Sequence, residues 1–393
     1  DEIQRTGNDG DILVFLSGER EIRETSVAIR RAAIRDLEVV PLYARLSLSE
    51  QSKIFSPHRG RRVVLATNVA ETSLTVPGIG YVIDTGRARV SRYSYRTKVQ
   101  RLQIESISRA SANQRAGRCG RVRAGVCYRL YTEDDFERRP EFTDPEVLRT
   151  SLAAVILRML ELNIGDIRGF PFIDSPDSRM LSDGYKLLEE LQAVTATGQL
   201  TPVGKKMVAI PLDPRLARML IEASNTGALA ETMVITSALS IQDPRERPVD
   251  RQQAADLMHG QWRDAESDFA TLHNLWCHLE ERRQSLSSNQ FAKHCRSHYL
   301  SFLRVREWRD LHHQVHSACR QLGFKENREP ANYASIHRAL LSGLLSQVGI
   351  RDGRREFIGT RNRRFFIFPA SGLAKTPPKW VAAGSVSYTH LTL

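Results

Sequence analysis

The chain has 393 residues, 41% of them hydrophobic, enough for roughly two to four compact domains, each with its own core. No apolar run approaches the length of a membrane span, and no basic segment followed by an apolar stretch opens the sequence, so a cytoplasmic protein is the expectation. Five cysteines without framework spacing argue against disulfides, and a net charge of +12 points to a polyanionic partner.

Residues 1–135 alternate short β-branched runs with amphipathic stretches, which predicts a parallel α/β sheet. The runs are Ile12 to Leu16, Val39 to Leu42, Val63 to Ala66 and Tyr81 to Asp84. Helices are expected from Glu19 and from Ser49 to Phe55. Working residues of such sheets sit in loops at the carboxyl ends of strands, so Ser17, Gly18, Thr67, Asn68 and the Asp84-Thr85-Gly86 segment are candidate contacts. Polar, β-prone runs on either side of Arg96-Thr97 predict a protruding hairpin over 87–105. From Asp144 the pattern turns helical. Asp144 suits a cap, Pro145 a first turn, and Leu148, Leu152, Val155, Ile156 and Met159 repeat at helical spacing. A second domain is therefore placed at 136–198. Residues 199–322 are almost wholly helix-forming and predict a bundle, and 323–383 hold one more helix and then short β runs of a small domain. Residues 384–393 continue no pattern and stand outside the fold argument.

Charge is concentrated. Between Arg87 and Arg123 there are eleven Lys or Arg against the single acid Glu105. Inside this patch the segment Ser111 to Arg121 reads SANQRAGRCGR, with Arg115, Arg118 and Arg121 three residues apart. Arginines so spaced on one helical turn are expected to converge on one point, where guanidinium groups stabilise the charge that develops in phosphoryl transfer. The bland alternative is a solvated arginine-rich helix face.

The segment QRAGRCGR resembles motif VI of superfamily 2 helicases, specifically of the DEAH/RHA group. DILVFLSGEREI (Asp11 to Ile22) resembles motif IV, LATNVAETSLTVPGI (Leu65 to Ile79) motif V, and YVIDTG (Tyr81 to Gly86) the strand that follows. LTPVGKKMVAIPLDPRLARML (Leu200 to Leu220) and LLSGLLSQVGI (Leu340 to Ile350) resemble the regions beyond the motor lobe. RERPVDRQQAAD and HYLSFLRVREW are most similar to bacterial HrpA-type RNA helicases. The resemblance implies an α/β RecA-like (P-loop NTPase-type) second lobe at 1–135, a winged-helix domain at 136–198, a helical-bundle ratchet at 199–322, and the start of an OB-fold at 323–383.

It also implies roles. Gln114 would place the attacking water while Arg118 and Arg121, with Arg115 beside them, reach the γ-phosphate of ATP. Phe55 would lie against adenine, its alternative being a core residue that ends a helix. Thr72 and Ser73 would link nucleotide state to RNA grip, or else cap a following helix. Ser17, Gly18, Thr67 and Asn68 would hold the phosphate backbone of RNA, with Arg92 and Arg96 of the hairpin near the duplex junction.

Two features test this reading within the sequence. GQLTPVGKK (Gly198 to Lys206) misses the phosphate-loop pattern in spacing and lacks its Ser or Thr, and neither a phosphate loop nor a DEAH-type acidic stretch occurs in the chain. ATP with Mg²⁺ is therefore expected to be held by a first RecA-like lobe of the same protein that this sequence lacks, leaving the chain by itself a negligible ATPase. Cys277, His278, His294, Cys295 and His298 have the spacing of neither a zinc finger nor a ribbon, so no metal is expected there. A monomeric, ATP-dependent RNA helicase moving 3′ to 5′ is the leading expectation. A non-catalytic nucleic-acid-binding or regulatory module is the alternative, and a related DNA translocase a weaker third.

Overall fold

The computed structural model describes residue 3 and residues 10–384, apart from 45, 47, 73, 95–98, 122, 123, 249, 250 and 354. They form two compact units, 1–92 with 101–146, and 93–100 with 147–393. In the first unit β1 (Asp11–Phe15), α1 (Glu19–Arg31), β2 (Leu37–Leu42), α2 (Leu48–Gln51), β3 (Arg61–Ala66) and β4 (Ile79–Asp84) follow one another, and β5 (Arg87–Ser94) and β6 (Val99–Ser106) form the hairpin, of which residues 93–100 are counted with the second unit. After it come α3 (Arg109–Ala116), β7 (Val126–Arg129) and α4 (Glu133–Glu137). The sheet order is β2-β3-β1-β4-β7, with every neighbouring pair parallel. Both faces are covered: Leu13, Phe15, Val64 and Val82 join one buried cluster, and Ile12, Val14, Val63 and Tyr81 the other. That is why these strands read as continuous apolar runs rather than alternating ones.

Register decides where the site can lie. Phe15 pairs with Ala66 on one side and Asp84 on the other, so β1, β3 and β4 end together. The loops carrying Ser17, Thr67 and Thr85 therefore share the carboxyl edge of the sheet, and Thr85 Oγ1 donates to Phe15 O at 2.9 Å across it.

In the second unit, α5 (Ala153–Leu162), α6 (Ser178–Glu190), α7 (Pro202–Val208) and α8 (Pro214–Thr226) share one core through Ile156, Leu188, Met207 and Leu220. Next come α9 (Leu229–Ser240), α10 (Gln252–His259), α11 (Asp268–Ser285), α12 (Ser288–Ser297), α13 (Phe302–Gln321) and α14 (Tyr333–Ser342). A second core gathers Val234, Leu275, Phe291 and Trp308, whose indole Nε1 donates to Val234 O at 3.0 Å. Helix starts coincide with side-chain caps: Asp177, Thr201, Asp213, Ser267, Ser287 and Asn332 each accept a backbone N–H of the first turn. β8 (Val348–Asp352), β9 (Glu356–Gly359), β10 (Arg363–Phe366) and β11 (Trp380–Ala382) make an antiparallel sheet in the order β10-β9-β8-β11.

Two local expectations are corrected. No α-helix starts at Asp144; a short 3-10 turn covers Glu146–Leu148 and the helix begins at Ala153. The carboxylate of Asp144 is taken by Arg92 Nη1 at 2.8 Å, a partner 52 residues away that outcompetes local capping. The expected helix over 49–55 is one turn of α2 followed by a 3-10 turn, Ser52–Phe55. The glycine-rich decoy is explained by packing: Thr201 caps α7, and a Cβ on Gly204 would lie 2.1 Å from Ala193 O. That glycine admits a neighbouring backbone, not a phosphate. All five cysteines are free, and no helix among the described residues is long and apolar enough to cross a membrane.

Candidate active site

The arginine cluster is assembled by α3 and the turn after it. Ser108 caps α3 by accepting from Ser111 N at 3.1 Å, a contact of about 1 kcal/mol. The helix ends at Ala116 with Gly117 as its cap residue, so only Arg115 is helical, while Arg118 and Arg121 lie in the turn beyond. The three guanidiniums therefore do not share one environment, contrary to what their spacing suggests.

Arg115 has no solvent exposure. Its Nε meets Glu71 Oε2 at 2.9 Å, its Nη1 meets Asp84 Oδ1 at 2.8 Å, and its guanidinium carbon lies 4.6 Å from the Phe15 ring centroid. Glu71 also accepts from Ser111 Oγ. Asp84, fully buried, accepts from Gly86 N and Tyr131 Oη, each at 2.9 Å. The Tyr131 hydroxyl is pushed far above the usual tyrosine range, by burial first and by Asp84 second. This network ties α3 to the segment before β4 and to the end of β4. In the described conformation Arg115 faces these carboxylates, not solvent, so the structure gives it an internal linking position.

Arg118 and Arg121 lie along the segment after β3. Arg118 is half-buried and donates to Glu71 O and, at 3.4 Å, to Leu74 O. Exposed Arg121 donates to Thr75 Oγ1. The Arg118 pKa is lowered, chiefly by burial and then by the charge of Arg121, with Glu71 opposing. Two cations that repel one another at a partly desolvated edge are a place where an incoming polyanion is stabilised. Gln114, in the last turn of α3, is exposed, and its neighbour Asn113 accepts from Arg129 Nη2 at 2.8 Å.

Phe55 ends its 3-10 turn 55% exposed, which rules out the core alternative. The turn is held from beneath by Arg62, a residue the sequence reading did not single out. Its Nη1 donates to Ile54 O at 3.0 Å and its Nη2 to Ser56 O at 3.1 Å, while Nη2 also pairs with Glu38 at 2.7 Å. Buried Ile54 and the two gripped carbonyls leave Phe55 facing outward.

On the carboxyl edge, Thr67 is half-buried and Asn68 exposed. Thr72 is exposed, and β4 rather than a helix follows it, so its alternative role as a cap has no helix to serve. Ser73 lies outside the described residues. Ser17 is buried, and its backbone N and Oγ donate to Glu21 Oε2 at 2.8 and 2.7 Å. Gly18 leads into α1 with extended backbone, where a Cβ would come within 2.7 Å of Arg89 Nε. In the hairpin, Arg92 bridges Glu105 at 2.6 Å and Asp144 at 2.8 Å, and its pKa is raised, first by the Glu105 hydrogen bond. It ties β5 to β6 and to Asp144. Arg96 lies outside the described residues.

The description "Helicase conserved C-terminal domain" matches residues 1–123. "Helicase associated domain (HA2), winged-helix" matches 185–212, its ratchet-like counterpart 213–292, and "Oligonucleotide/oligosaccharide-binding (OB)-fold" 336–391. The chain is 58% identical to "ATP-dependent RNA helicase HrpA" of Escherichia coli (strain K12), over 99% of this chain and 30% of that protein. Over nearly its whole length the chain is similar to ATP-dependent RNA helicases. Its HrpA-type wording also shows in 54% identity to the HrpA homolog of Haemophilus influenzae, again over 99% of this chain and 30% of the relative. "Probable ATP-dependent RNA helicase DHX35" of Homo sapiens is 33% identical over 99% of this chain and 56% of its own length. The "Crystal structure of E. coli DExH-box NTPase HrpB" superposes with a TM-score of 0.73 at 26% identity, covering 100% of this chain and 42% of that one. The chain thus spans about a third of the length of these two HrpA relatives. In this light the first unit is a RecA-like lobe, followed by winged-helix, ratchet and OB-fold regions.

Proposed function

We propose that the chain supplies the arginine-finger side and the RNA grip of an ATP-dependent RNA helicase that translocates 3′ to 5′ and unwinds RNA. The observation that carries this reading is the pair Arg118 and Arg121, held on the segment Glu71–Thr75 with exposed Gln114 one helical turn before. ATP with Mg²⁺ is held mainly by another RecA-like lobe of the same protein, since this chain contains no phosphate loop. Phe55 covers the adenine face, Gln114 orients the attacking water, and Arg118 and Arg121 stabilise charge on the γ-phosphoryl oxygens. Arg115 acts through Glu71 and Asp84 as a positioning residue: it fixes the segment on which Arg118 and Arg121 rest.

Thr67, Asn68 and Gly18 contact the phosphate backbone without reading bases, and Thr72 and Ser73 join that grip to nucleotide state. Ser17 shapes this loop rather than donating to RNA, its backbone N–H and hydroxyl both being engaged with Glu21. The hairpin, with Arg92 and Arg96, meets the duplex junction, and the protein works as a cytoplasmic monomer. The chain alone binds nucleotide weakly and turns over negligibly.

The test is reconstitution. The chain is fused to a phosphate-loop-bearing lobe taken from an HrpA-type relative, and ATP-dependent strand separation of a 3′-tailed RNA duplex is measured. Unwinding that requires both lobes and ATP supports the motor. Tight RNA binding with no ATP-dependent unwinding in the fused protein supports the non-catalytic module.

A further inference from the structure

Three histidines of the helical bundle that are separated in sequence close on one another. His278 lies on α11, His294 on α12, and His298 is the residue that ends α12. His278 Nε2 and His294 Nε2 are 3.0 Å apart, and one ligand-capable nitrogen from each of the three lies within 4.8 Å of the others. The rings of His294 and His298, one helical turn apart, have centroids separated by 4.0 Å. All three side chains are half-buried, so the cluster is both partly desolvated and reachable.

The tautomers suit a ligand set. His298 Nδ1 lies 2.9 Å from the carbonyl oxygen of His294, and a carbonyl only accepts, so Nδ1 carries the proton and Nε2 keeps its lone pair. A backbone carbonyl behind the far nitrogen is the arrangement that orients metal-bound imidazoles. Arg282 opposes a cation here and Glu281 favours one. The cysteines of the sequence cluster do not join: Cys295 is buried in the core, and Cys277 Sγ faces His273 at 3.8 Å.

We propose that His278, His294 and His298 form a three-nitrogen site for a divalent transition-metal ion, best matched by Zn²⁺ with water in the fourth position, which fastens α11 to α12. Zn–N distances near 2.0–2.1 Å in a tetrahedron put the nitrogens roughly 3.4 Å apart, so separations now within 4.8 Å must close by at most about 1.4 Å. An all-imidazole set suits zinc, copper, nickel or cobalt and not magnesium or calcium. The site lies wholly in the second unit and is independent of the motor assignment.

The experiment uses the untagged 393-residue chain, stripped with chelator, titrated with Zn²⁺ by calorimetry and with Co²⁺ by absorption and tryptophan fluorescence. Trp262 stacks near the site, its ring 5.2 Å from His278 and 6.3 Å from His298, so Co²⁺ bound there quenches it. One equivalent of either ion should bind, with Zn²⁺ raising the melting temperature. His294→Ala and His298→Gln, each with unchanged circular dichroism, should weaken binding at least about tenfold and abolish the shift, since even the groups behind metal ligands carry that much. His273→Ala should change neither. Failure of the folded chain to bind, or equal affinity in both folded variants, overturns the proposal and leaves the cluster as a histidine hydrogen-bond contact.

Discussion

Replacing Arg115 by Met should destabilise the first unit without touching nucleotide directly. The substitution keeps the length of the side chain but strands two carboxylates, Asp84 fully buried and Glu71 half-buried. Asp84 retains Gly86 N and Tyr131 Oη, and Glu71 retains Ser111, yet both lose their cation. Removing one partner of a buried ion pair typically costs about 3–5 kcal/mol. At about 1.4 kcal/mol per tenfold, the opening equilibrium of the surrounding sheet shifts by roughly two to three and a half orders of magnitude. Hydrogen exchange at the amides of Val14 and Ile83, on the strands that Phe15 and Asp84 end, reads this directly. Adding Asp84→Asn to Arg115→Met should recover part of the loss, because the stranded charge is removed. Arg118→Ala, which gives up only backbone carbonyls, should leave protection nearly unchanged. Protection in Arg115→Met within about threefold of the parent would refute the linking role, since that corresponds to under 1 kcal/mol.

Phe55→Ala in the two-lobed protein should raise KM for ATP by several-fold to about tenfold, the usual range for ring stacking, with the melting temperature unmoved because the side chain is exposed. An unchanged KM would remove Phe55 from the adenine site. His312, packed 4.7 Å from Trp276, is held at about 4, by burial first and by His316 second. The folded state refuses a proton that the unfolded chain accepts near 6.5, so this stability is complete above that pH and lost as pH falls toward 4, with a magnitude on the order of 3 kcal/mol. Trp fluorescence melts across this range should show the slope, and His312→Phe should flatten it; an unchanged slope would discard the assignment. Deleting residues 95–98 should impair unwinding far more than RNA-stimulated ATPase, and equal losses in both would detach the hairpin from strand separation.

The parallel sheet was legible because strands buried on both faces must be apolar throughout, and β1, β3 and β4 show it. β7 was not, because Val126–Arg129 is short, half-buried and set beside basic residues. The helix expected at Asp144 failed for a tertiary reason, its carboxylate being claimed by Arg92. In the arginine cluster the spacing located the residues and could not rank them. Which guanidinium is buried depends on Glu71 and Asp84, supplied by other segments of the lobe. Arg62 was invisible for the same reason, since its value lies in two carbonyls around Phe55. The histidines of α11 and α12 were each visible alone, and only the packing of the two helices brings their nitrogens together.

Arg118 bears most directly on the division of labour between the two lobes. In the reconstituted two-lobed protein, with RNA saturating, the ATPase kcat of Arg118→Ala should fall by about 10³-fold or more, as removal of a guanidinium from a phosphoryl-transfer site does. Hydrogen-exchange protection of the sheet should stay at the parent level. A loss smaller than about tenfold in a protein of parental stability would contradict the finger assignment and, with it, the proposed division of labour between the two lobes.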